Sequence, residues 1–261
     1  TSYKKRSQIL LKNCRFTWHQ QSSFQLDNID VNINQPTLIA IVGTIGSGKS
    51  SLLAAILGQM NLTPKNLPNQ CMYHVQGRIA YVPQNSWINS GTIRENILFG
   101  KMFDPVRYWN VIDACALLDD LKQMIDGDKT LIGENGDNLS GGQQQRISLA
   151  RAVYADADLY LLDDPLSALD SQVSRHVFRR VISNNRGLLA NKICLFTTNN
   201  MALLPNVDHI YLIDNGSIVA QGNYQDLINM ENKFTEFLTT YFSSTAQDDT
   251  VDSDDNNDNS L

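Results

Sequence analysis

The sequence of 261 residues predicts an α/β fold with a mostly parallel core sheet. Short, almost wholly apolar runs such as Thr37–Val42 have the composition of strands that are buried on both faces of a sheet. Segments with helical periodicity, such as Gly141–Tyr154, alternate with these runs along the chain. Strands that alternate with helices are typical of a parallel sheet covered by helices.

The first predicted elements are two strands that flank this core. Residues 9–18 and 24–33 alternate apolar and polar side chains, as half-buried antiparallel strands do. The buried strand Thr37–Val42 then leads into a glycine-rich loop, and residues 49–58 form a predicted helix with Gly58 at its end. We therefore expect an antiparallel β flank beside the core sheet.

The elements that follow continue the alternation. The strand 77–82 precedes a helical stretch from residue 92 to about residue 125, and Asp104-Pro105 marks a helix start within it. We interpret residues 90–155, approximately, as a helical subdomain inserted into the core. The later predicted elements are a strand at 159–163, a helix at 171–185, a strand at 193–197, a turn or short helix near 203–205, strands at 209–213 and 217–220, and helices at 224–229 and 232–242.

Negative charge is concentrated near the end of the chain. Six aspartates between residues 248 and 258 account for all of the formal net charge of −6, which leaves residues 1–247 close to neutral. This distribution argues against nucleic acid as a partner. Residues 246–261 are rich in Asp, Asn and Ser, so we expect an acidic disordered linker after a domain of residues 1–245. Because the sequence begins without Met, we also expect it to be cut from a longer polypeptide.

The glycine-rich loop after the third strand, residues 43–50, matches the nucleotide-binding P-loop pattern G-x-x-x-x-G-K-[ST]. Glycines there let successive backbone N–H groups face phosphates, and the following helix contributes its N-terminal dipole. Lys49 is expected to reach the β- and γ-phosphates. The residues assigned to nucleotide binding in this stretch are Gly43, Thr44, Ile45, Gly46, Ser47, Gly48, Lys49, Ser50 and Ser51.

Three side chains are candidate Mg²⁺ ligands. The Ser50 hydroxyl belongs to the P-loop, and Asp163 ends a buried strand where a carboxylate can hold the shell of the ion. Gln84 follows another strand, and its neutral amide can contact Mg²⁺ or the attacking water. A surface glutamine without such a role is the alternative interpretation.

Trp18 ends the first predicted strand. An aromatic ring at this place can stack on adenine. A core tryptophan packed against the hairpin is an equally good interpretation of the sequence.

A second glycine-rich motif, Leu139-Ser140-Gly141-Gly142-Gln143, opens a predicted helix. Ser140 is a candidate N-cap, and the two glycines expose N–H groups, so the motif is a second anion site. One nucleotide needs only one P-loop. We therefore assign Ser140, Gly141, Gly142 and Gln143 to the nucleotide of another domain, which predicts head-to-tail pairing with two nucleotides between the domains.

Residues 9–242 resemble the nucleotide-binding domain of an ABC transporter, which is a P-loop NTPase. In that resemblance residues 139–143 are the signature motif, and residues 167–170 follow it as the D-loop. The wording VPQNSWI at 82–88 and GTIRENILFG at 91–100 is similar to the first cassette of the C subfamily, the multidrug-resistance-associated proteins.

The resemblance implies ATP and Mg²⁺ as cofactors and a position at the cytoplasmic face of a membrane. It implies that the partners are a second nucleotide-binding domain and transmembrane domains of the same polypeptide. The implied function is a motor domain that couples ATP binding and hydrolysis to the export of organic anions, conjugates or drugs, which bind elsewhere in the parent protein.

Two other classes of protein share this cassette. A non-transporting channel or channel regulator of the same subfamily is one alternative. The other is a soluble ABC ATPase. It is disfavoured, because chromosome-type ATPases place a long coiled coil between the P-loop and the signature motif, whereas here only 88 residues without sustained heptads separate Ser50 from Leu139.

Two residues depart from the pattern of a hydrolytic cassette. The residue after Asp163 is Asp164, where such a cassette carries Glu, and alignment puts Asn199 at the position of the switch histidine. With Gln84, these are the candidate catalytic residues. The two departures imply weak hydrolysis at this chain's own P-loop, with ATP binding retained.

Overall fold

The structure is a computed structural model that describes residues 7–19, 23–63, 71–230 and 232–251. Twelve strands occur in these residues. In chain order they are β1 (Gln8–Thr17), β2 (Gln25–Ile33), β3 (Thr37–Val42), β4 (Asn61–Leu62), β5 (Met72–Gln76), β6 (Ile79–Val82), β7 (Gly91–Thr92), β8 (Leu131–Ile132), β9 (Leu159–Leu162), β10 (Ile193–Thr197), β11 (His209–Asp214) and β12 (Ser217–Gly222).

Eight α-helices occur in the same part of the chain. They are α1 (Lys49–Ile56), α2 (Ile93–Leu98), α3 (Pro105–Ala114), α4 (Leu118–Gln123), α5 (Gly141–Tyr154), α6 (Ser171–Val177), α7 (Tyr224–Ile228) and α8 (Lys233–Val251). A π-helical turn at Phe178–Ile182 extends α6, and the expected turn or short helix near 203–205 is a 3₁₀ segment at Met201–Asn206.

The core sheet has six strands in the order β6-β9-β10-β3-β11-β12. The first five are parallel to one another, and β12 is antiparallel to β11. The predicted α/β fold with a mostly parallel sheet is therefore confirmed. The strand that leads into the P-loop, β3, lies inside the sheet between β10 and β11.

The two faces of β3 are buried in different parts of the core. Leu38, Ala40 and Val42 belong to the hydrophobic cluster that joins the sheet to α2, α3, α4 and α5. Ile39 and Ile41 belong to the cluster that joins it to α1 and the antiparallel sheet. Burial on both faces explains why the strand reads as one apolar run.

The antiparallel flank is also present as expected. β1 pairs with β2 on one side and with β4 and β5 on the other, all antiparallel. β4 and β5 were not predicted from the sequence. Their side chains are mostly exposed, so neither strand carries an alternating apolar pattern that would reveal it.

Three helix predictions differ from the structure. The stretch 92–125 is divided into α2, α3 and α4, because Phe99 and Ala116 take left-handed backbone conformations at the ends of α2 and α3. The helix predicted at 171–185 changes to the π-helical turn after Val177. α8 continues to Val251, beyond the helix end expected at residue 242 and into the expected linker. Residues 252–261 of that linker lie outside the described residues.

Candidate functional site

The P-loop lies at the carboxyl edge of the core sheet. β3 ends immediately before it, and the parallel strands β6, β9 and β10 end at the same edge. Asp163 follows β9, Thr197 is the last residue of β10, and Gln84 comes two residues after β6. In open α/β sheets, ligands bind in a crevice just outside the carboxyl ends of the strands.

Two glycines of the P-loop occupy places where no side chain fits. Gly43 has a φ of +150°, and a Cβ on it would lie 2.2 Å from the carbonyl oxygen of Ile213. Gly48 has a φ of +115°, and its Cβ would lie 2.9 Å from Cζ of Phe24. The loop is therefore held closely against β11 on one side and the β1–β2 hairpin on the other. The buried hydroxyl of Ser47 makes no hydrogen bond within the described residues, so the loop offers a polar atom that phosphate oxygens would satisfy.

Lys49 lies across the P-loop that it belongs to. Its ammonium group donates hydrogen bonds to the carbonyl oxygens of Gly43 (2.8 Å) and Thr44 (3.0 Å). Burial lowers the pKa of Lys49, and the nearby carboxylates of Asp164 and Asp163 oppose that change. Its charge is thus held in the loop with two carboxylates close by.

Two of the three candidate Mg²⁺ ligands are in direct contact. The hydroxyl of Ser50 donates to Oδ1 of Asp163 at 2.9 Å, and the hydroxyl of Thr197 donates to the same oxygen at 2.7 Å. Hydroxyl and carboxylate oxygens are the hard donors that Mg²⁺ prefers, and this ion is usually held by one or two carboxylates together with phosphates. No cluster of three or more His, Cys, Asp or Glu side chains that could hold a metal occurs in the described ranges.

Trp18 and Gln84 both lie on the surface. Trp18 is 42% exposed, so the interpretation as a core residue does not fit. It comes one residue after the last β1–β2 pair, Thr17–Gln25, at the end of the hairpin where Phe24 contacts Gly48. Gln84 is exposed at the sheet edge next to the end of β9.

The signature motif caps α5 as its sequence predicts. Ser140 accepts a hydrogen bond from the Gln143 N–H, and the Gln143 side chain accepts one from the Ser140 N–H, which is a complete capping box. The Gln143 amide also donates to Asp120 at 2.9 Å. A Cβ on Gly141 would meet nothing within 4 Å, so this turn presents an open surface. Within the described residues no hydrogen bond joins the signature motif to the P-loop.

Asp164 takes a left-handed backbone conformation with a φ of +47°. Its N–H donates to the Thr197 hydroxyl at 2.7 Å. Burial raises the pKa of the Asp164 carboxyl, Asp163 raises it further, and Lys49 and Ser167 act in the opposite direction. Asp164 therefore carries its charge at a cost.

Asn199 is exposed beyond the end of β10. Its backbone carbonyl accepts a hydrogen bond of 2.8 Å from the hydroxyl of Tyr241 in α8. This contact leaves the Asn199 side chain uninvolved, and it ties the loop after β10 to the last helix.

Sequence reasoning missed three residues that organise this site. Thr197 joins Asp163 to Asp164, Gln145 of α5 contacts the loop after β9, and Tyr241 holds Asn199. Thr197 could have been found, because a polar residue at the end of a buried strand lies beside the equivalent end of its neighbour. The other two contacts join residues far apart in sequence and leave no local pattern.

The comparison with protein-family models gives one match. The ABC transporter family model matches residues 26–167, which is more than half of the chain. The matched range contains the P-loop, Gln84, the signature motif and Asp163.

Individual relatives are similar over nearly the whole chain. It is 46% identical over 234 residues to "ATP-binding cassette sub-family C member 2" of Homo sapiens and 45% identical over 233 residues to "ATP-binding cassette sub-family C member 3" of Homo sapiens. These matches cover 90% and 89% of this chain, but 15% of each relative. The member 2 protein of Mus musculus is 43% identical over 248 residues, which is 94% of this chain and 16% of that relative.

The chain thus corresponds to a small part of these larger proteins. No helix within the described residues is long and apolar enough to cross a membrane.

Proposed function

Because the chain belongs to the ABC transporter family, we propose that it is the ATP-binding motor domain of an exporter. The observation that carries the proposal is the assembly of Lys49, Ser50 and Asp163 at the end of β3 and β9. Asp163 lies 113 positions after Ser50 in the sequence, and the fold brings the hydroxyl and the carboxylate to 2.9 Å.

The P-loop residues would bind the phosphates of ATP. The backbone of residues 43–48 and the start of α1 would surround the phosphate chain, and the ammonium group of Lys49 would exchange its two carbonyl acceptors for phosphate oxygens. Trp18 would stack on adenine at the outer end of the hairpin. Ser50, Asp163 and Gln84 would hold Mg²⁺, which when bound neutralises charge that develops on the phosphates.

The signature motif would act on a second nucleotide. A Cβ on Gly141 would meet nothing within 4 Å, so the signature motif presents an open surface there, which supports head-to-tail pairing with a second cassette. We propose that this partner and the transmembrane domains belong to the same polypeptide, and that the chain lies at the cytoplasmic face of a membrane. The match covers only 15% of the length of each relative, which supports a larger parent protein.

The chain's own site would bind ATP but hydrolyse it slowly. A group that deprotonates or orients the attacking water and a group that stabilises charge at the γ-phosphate are both required for rapid turnover. Asp164 is a methylene shorter than Glu, and Asn199 cannot carry the charge that a histidine can acquire. The site would then be a latch that keeps the two cassettes together.

The proposed substrate class is organic anions, including glutathione conjugates, on the ground of the resemblance to the multidrug-resistance-associated proteins. The test uses inside-out membrane vesicles that contain the full-length parent protein. We expect ATP-dependent uptake of a radiolabelled glutathione conjugate, and a large loss of uptake for Lys49→Ala. Lys122→Ala is the control, because Lys122 is an exposed residue of α4 that pairs with Asp119 and takes no part in the proposed site.

The same experiment separates the alternatives. Uptake that needs no ATP, or that survives Lys49→Ala, would contradict the motor function. Nucleotide binding with no uptake, together with an ATP-dependent ion conductance, would instead assign the parent to the channel class.

A further inference from the structure

Gln145 is a polar side chain that is buried almost completely, at 2% exposure, in the second turn of α5. Its Nε2 donates to the carbonyl oxygen of Asp164 at 2.8 Å, and its Oε1 accepts from the N–H of Ala168 at 3.0 Å. One partner is an acceptor and the other a donor, so only one orientation of the amide satisfies both. The side chain therefore joins the helix that carries the signature motif to the loop that carries Asp164.

A second contact joins the same helix to the same loop. A Cβ on Gly142 would lie 3.0 Å from the carbonyl oxygen of Ala168, so the first turn of α5 packs directly on the loop backbone. Contact at Gly142 and hydrogen bonds at Gln145 fix the helix and the loop relative to each other at two points.

The hydrogen bonds continue from this loop to the P-loop. Asp164 donates its N–H to Thr197 (2.7 Å), and Thr197 donates to Asp163 (2.7 Å). Asp163 in turn accepts from Ser50 at 2.9 Å. A continuous series of hydrogen bonds thus runs from the first helical turn after the P-loop to the signature helix, and Gln145 is its last side chain.

Asp164 is held on both sides of its backbone within this series. Its N–H is bound by Thr197, and its carbonyl accepts from Gln145 and from the Ser167 hydroxyl at 2.9 Å. Its φ of +47° is a conformation that non-glycine residues keep only where the surroundings hold it, so the backbone of Asp164 depends on these contacts.

We propose that Gln145 is a positioning residue that couples the two ATP sites. When the signature motif engages the nucleotide of the partner cassette, α5 moves, and Gln145 transmits that movement to the backbone of Asp164 at this chain's own P-loop. The inference rests on the proposed function, since it needs a second cassette. Coupling of this kind is reciprocal, so occupancy of either site changes the affinity of the other by the same factor.

The test measures that factor in the full-length parent protein. Membranes are photolabelled with azido-ATP, and limited proteolysis then separates the two cassettes so that label on this chain is counted alone. Affinity at this chain's P-loop is measured in the parent and in a variant whose second cassette lacks its P-loop lysine. The ratio of the two affinities is the coupling factor, for which allosteric proteins typically give about 5- to 150-fold.

Two substitutions of Gln145 and one control are compared. Gln145→Met keeps the length of the side chain without either hydrogen bond, and Gln145→Glu keeps an acceptor for Ala168 but removes the donor to Asp164. Ser167→Ala removes the other side-chain donor to the same Asp164 carbonyl, together with the long contact of 3.5 Å between Gln145 Nε2 and the Ser167 hydroxyl. It keeps the hydrogen bonds of Gln145 to Asp164 and Ala168, so α5 stays connected to the loop. We expect both Gln145 variants to bring the coupling factor to within about twofold of one, while affinity with the partner site inactive stays within about twofold of the parent; Ser167→Ala should retain coupling.

Three results would overturn the inference. Parental coupling in Gln145→Met and Gln145→Glu would show that another contact transmits the movement. A fall in basal affinity with an unchanged coupling factor would make Gln145 a merely structural residue. A coupling factor of one in the parent itself would contradict the two-cassette function as well, and this outcome is distinct because it appears before any substitution of Gln145.

Discussion

The hydroxyl of Ser50 and the carboxylate of Asp163 are joined by a hydrogen bond of 2.9 Å, although 113 positions separate the two residues in sequence. Ser50 is the second residue of α1, and Asp163 follows β9. β10 lies between β9 and β3, and its last residue, Thr197, contributes the second donor to the same oxygen. The oxygens of two proposed Mg²⁺ ligands are therefore brought into direct contact by the order of the strands.

We expect Ser50→Ala and Asp163→Asn to weaken ATP binding mainly when Mg²⁺ is present. Each substitution removes one oxygen ligand, whereas the phosphate contacts of the P-loop do not need the ion. The measurement is a titration with a fluorescent ATP analogue in Mg²⁺ and in EDTA. Asp158→Asn is the matched control, because Asp158 precedes the same strand at the opposite edge of the sheet. An equal loss of affinity in both buffers would contradict the assignment as ion ligands.

Trp18→Ala should weaken ATP binding by about 1–3 kcal/mol, the range found for a base stacked on an aromatic side chain. Trp109→Ala is the control, because Trp109 is equally exposed, at 42%, and lies on α3. Calorimetric titration of both variants with ATP gives the comparison. Unchanged affinity in a folded Trp18→Ala protein would remove Trp18 from the site.

Much of the fold could be predicted because its strands are buried on both faces. β3, β10 and α5 begin and end where the sequence indicates, since an apolar run or a cap marks each boundary. β5 has no such pattern because it is an exposed edge strand. The helix expected at 171–185 changes to a π-helical turn at Phe178–Ile182, and the amino-acid composition gives no signal of this change.

The candidate site divides in the same way. The P-loop and signature motif could be read directly, because their glycines and caps are consecutive in sequence. The contacts of Thr197, Gln145 and Tyr241 depend on which strands and helices become neighbours. Sequence periodicity predicts the elements but does not give these contacts between them.

Asp164→Asn should raise the Tm of the nucleotide-free chain at neutral pH by a few degrees. Burial raises the pKa of this carboxyl in the folded state, and Asp163 raises it further. The charged form therefore opposes folding above the folded-state pKa, and this cost disappears below the unfolded-state pKa, about 3.9, where both states are protonated. Removing the carboxylate removes the cost.

The gain should be largest at pH 7–8, and it should shrink as the pH is lowered through the folded-state pKa of Asp164. Thermal unfolding at several pH values measures this. Asp119→Asn is the control: the hydrogen bond from Lys122 lowers the pKa of Asp119, so its removal should give no gain. A Tm difference that does not change with pH would show that packing, not charge, accounts for the effect.

The proposed slow hydrolysis at this chain's own P-loop can be tested by restoring the two side chains of a hydrolytic cassette. Asp164→Glu lengthens the carboxylate toward the attacking water, and Asn199→His supplies a group that can become positively charged. Tyr241 holds the backbone carbonyl of Asn199 and not its side chain, so the histidine can be introduced without loss of that hydrogen bond. Both changes leave the P-loop and the oxygens of Ser50 and Asp163 in place.

We expect the double variant of the full-length protein to bind ATP as before and to release phosphate from this site about tenfold faster or more, since a positioned general base typically contributes at least that much. Single-turnover release of radiolabelled phosphate, in a parent whose second cassette lacks its P-loop lysine, isolates the site. Asp164→Glu alone and Asn199→His alone show whether both groups are needed. Because the phosphate contacts are unchanged, faster release with unaltered ATP affinity would identify these two side chains as the cause of the latch. An unchanged rate would place the limiting step elsewhere, for example in separation of the two cassettes.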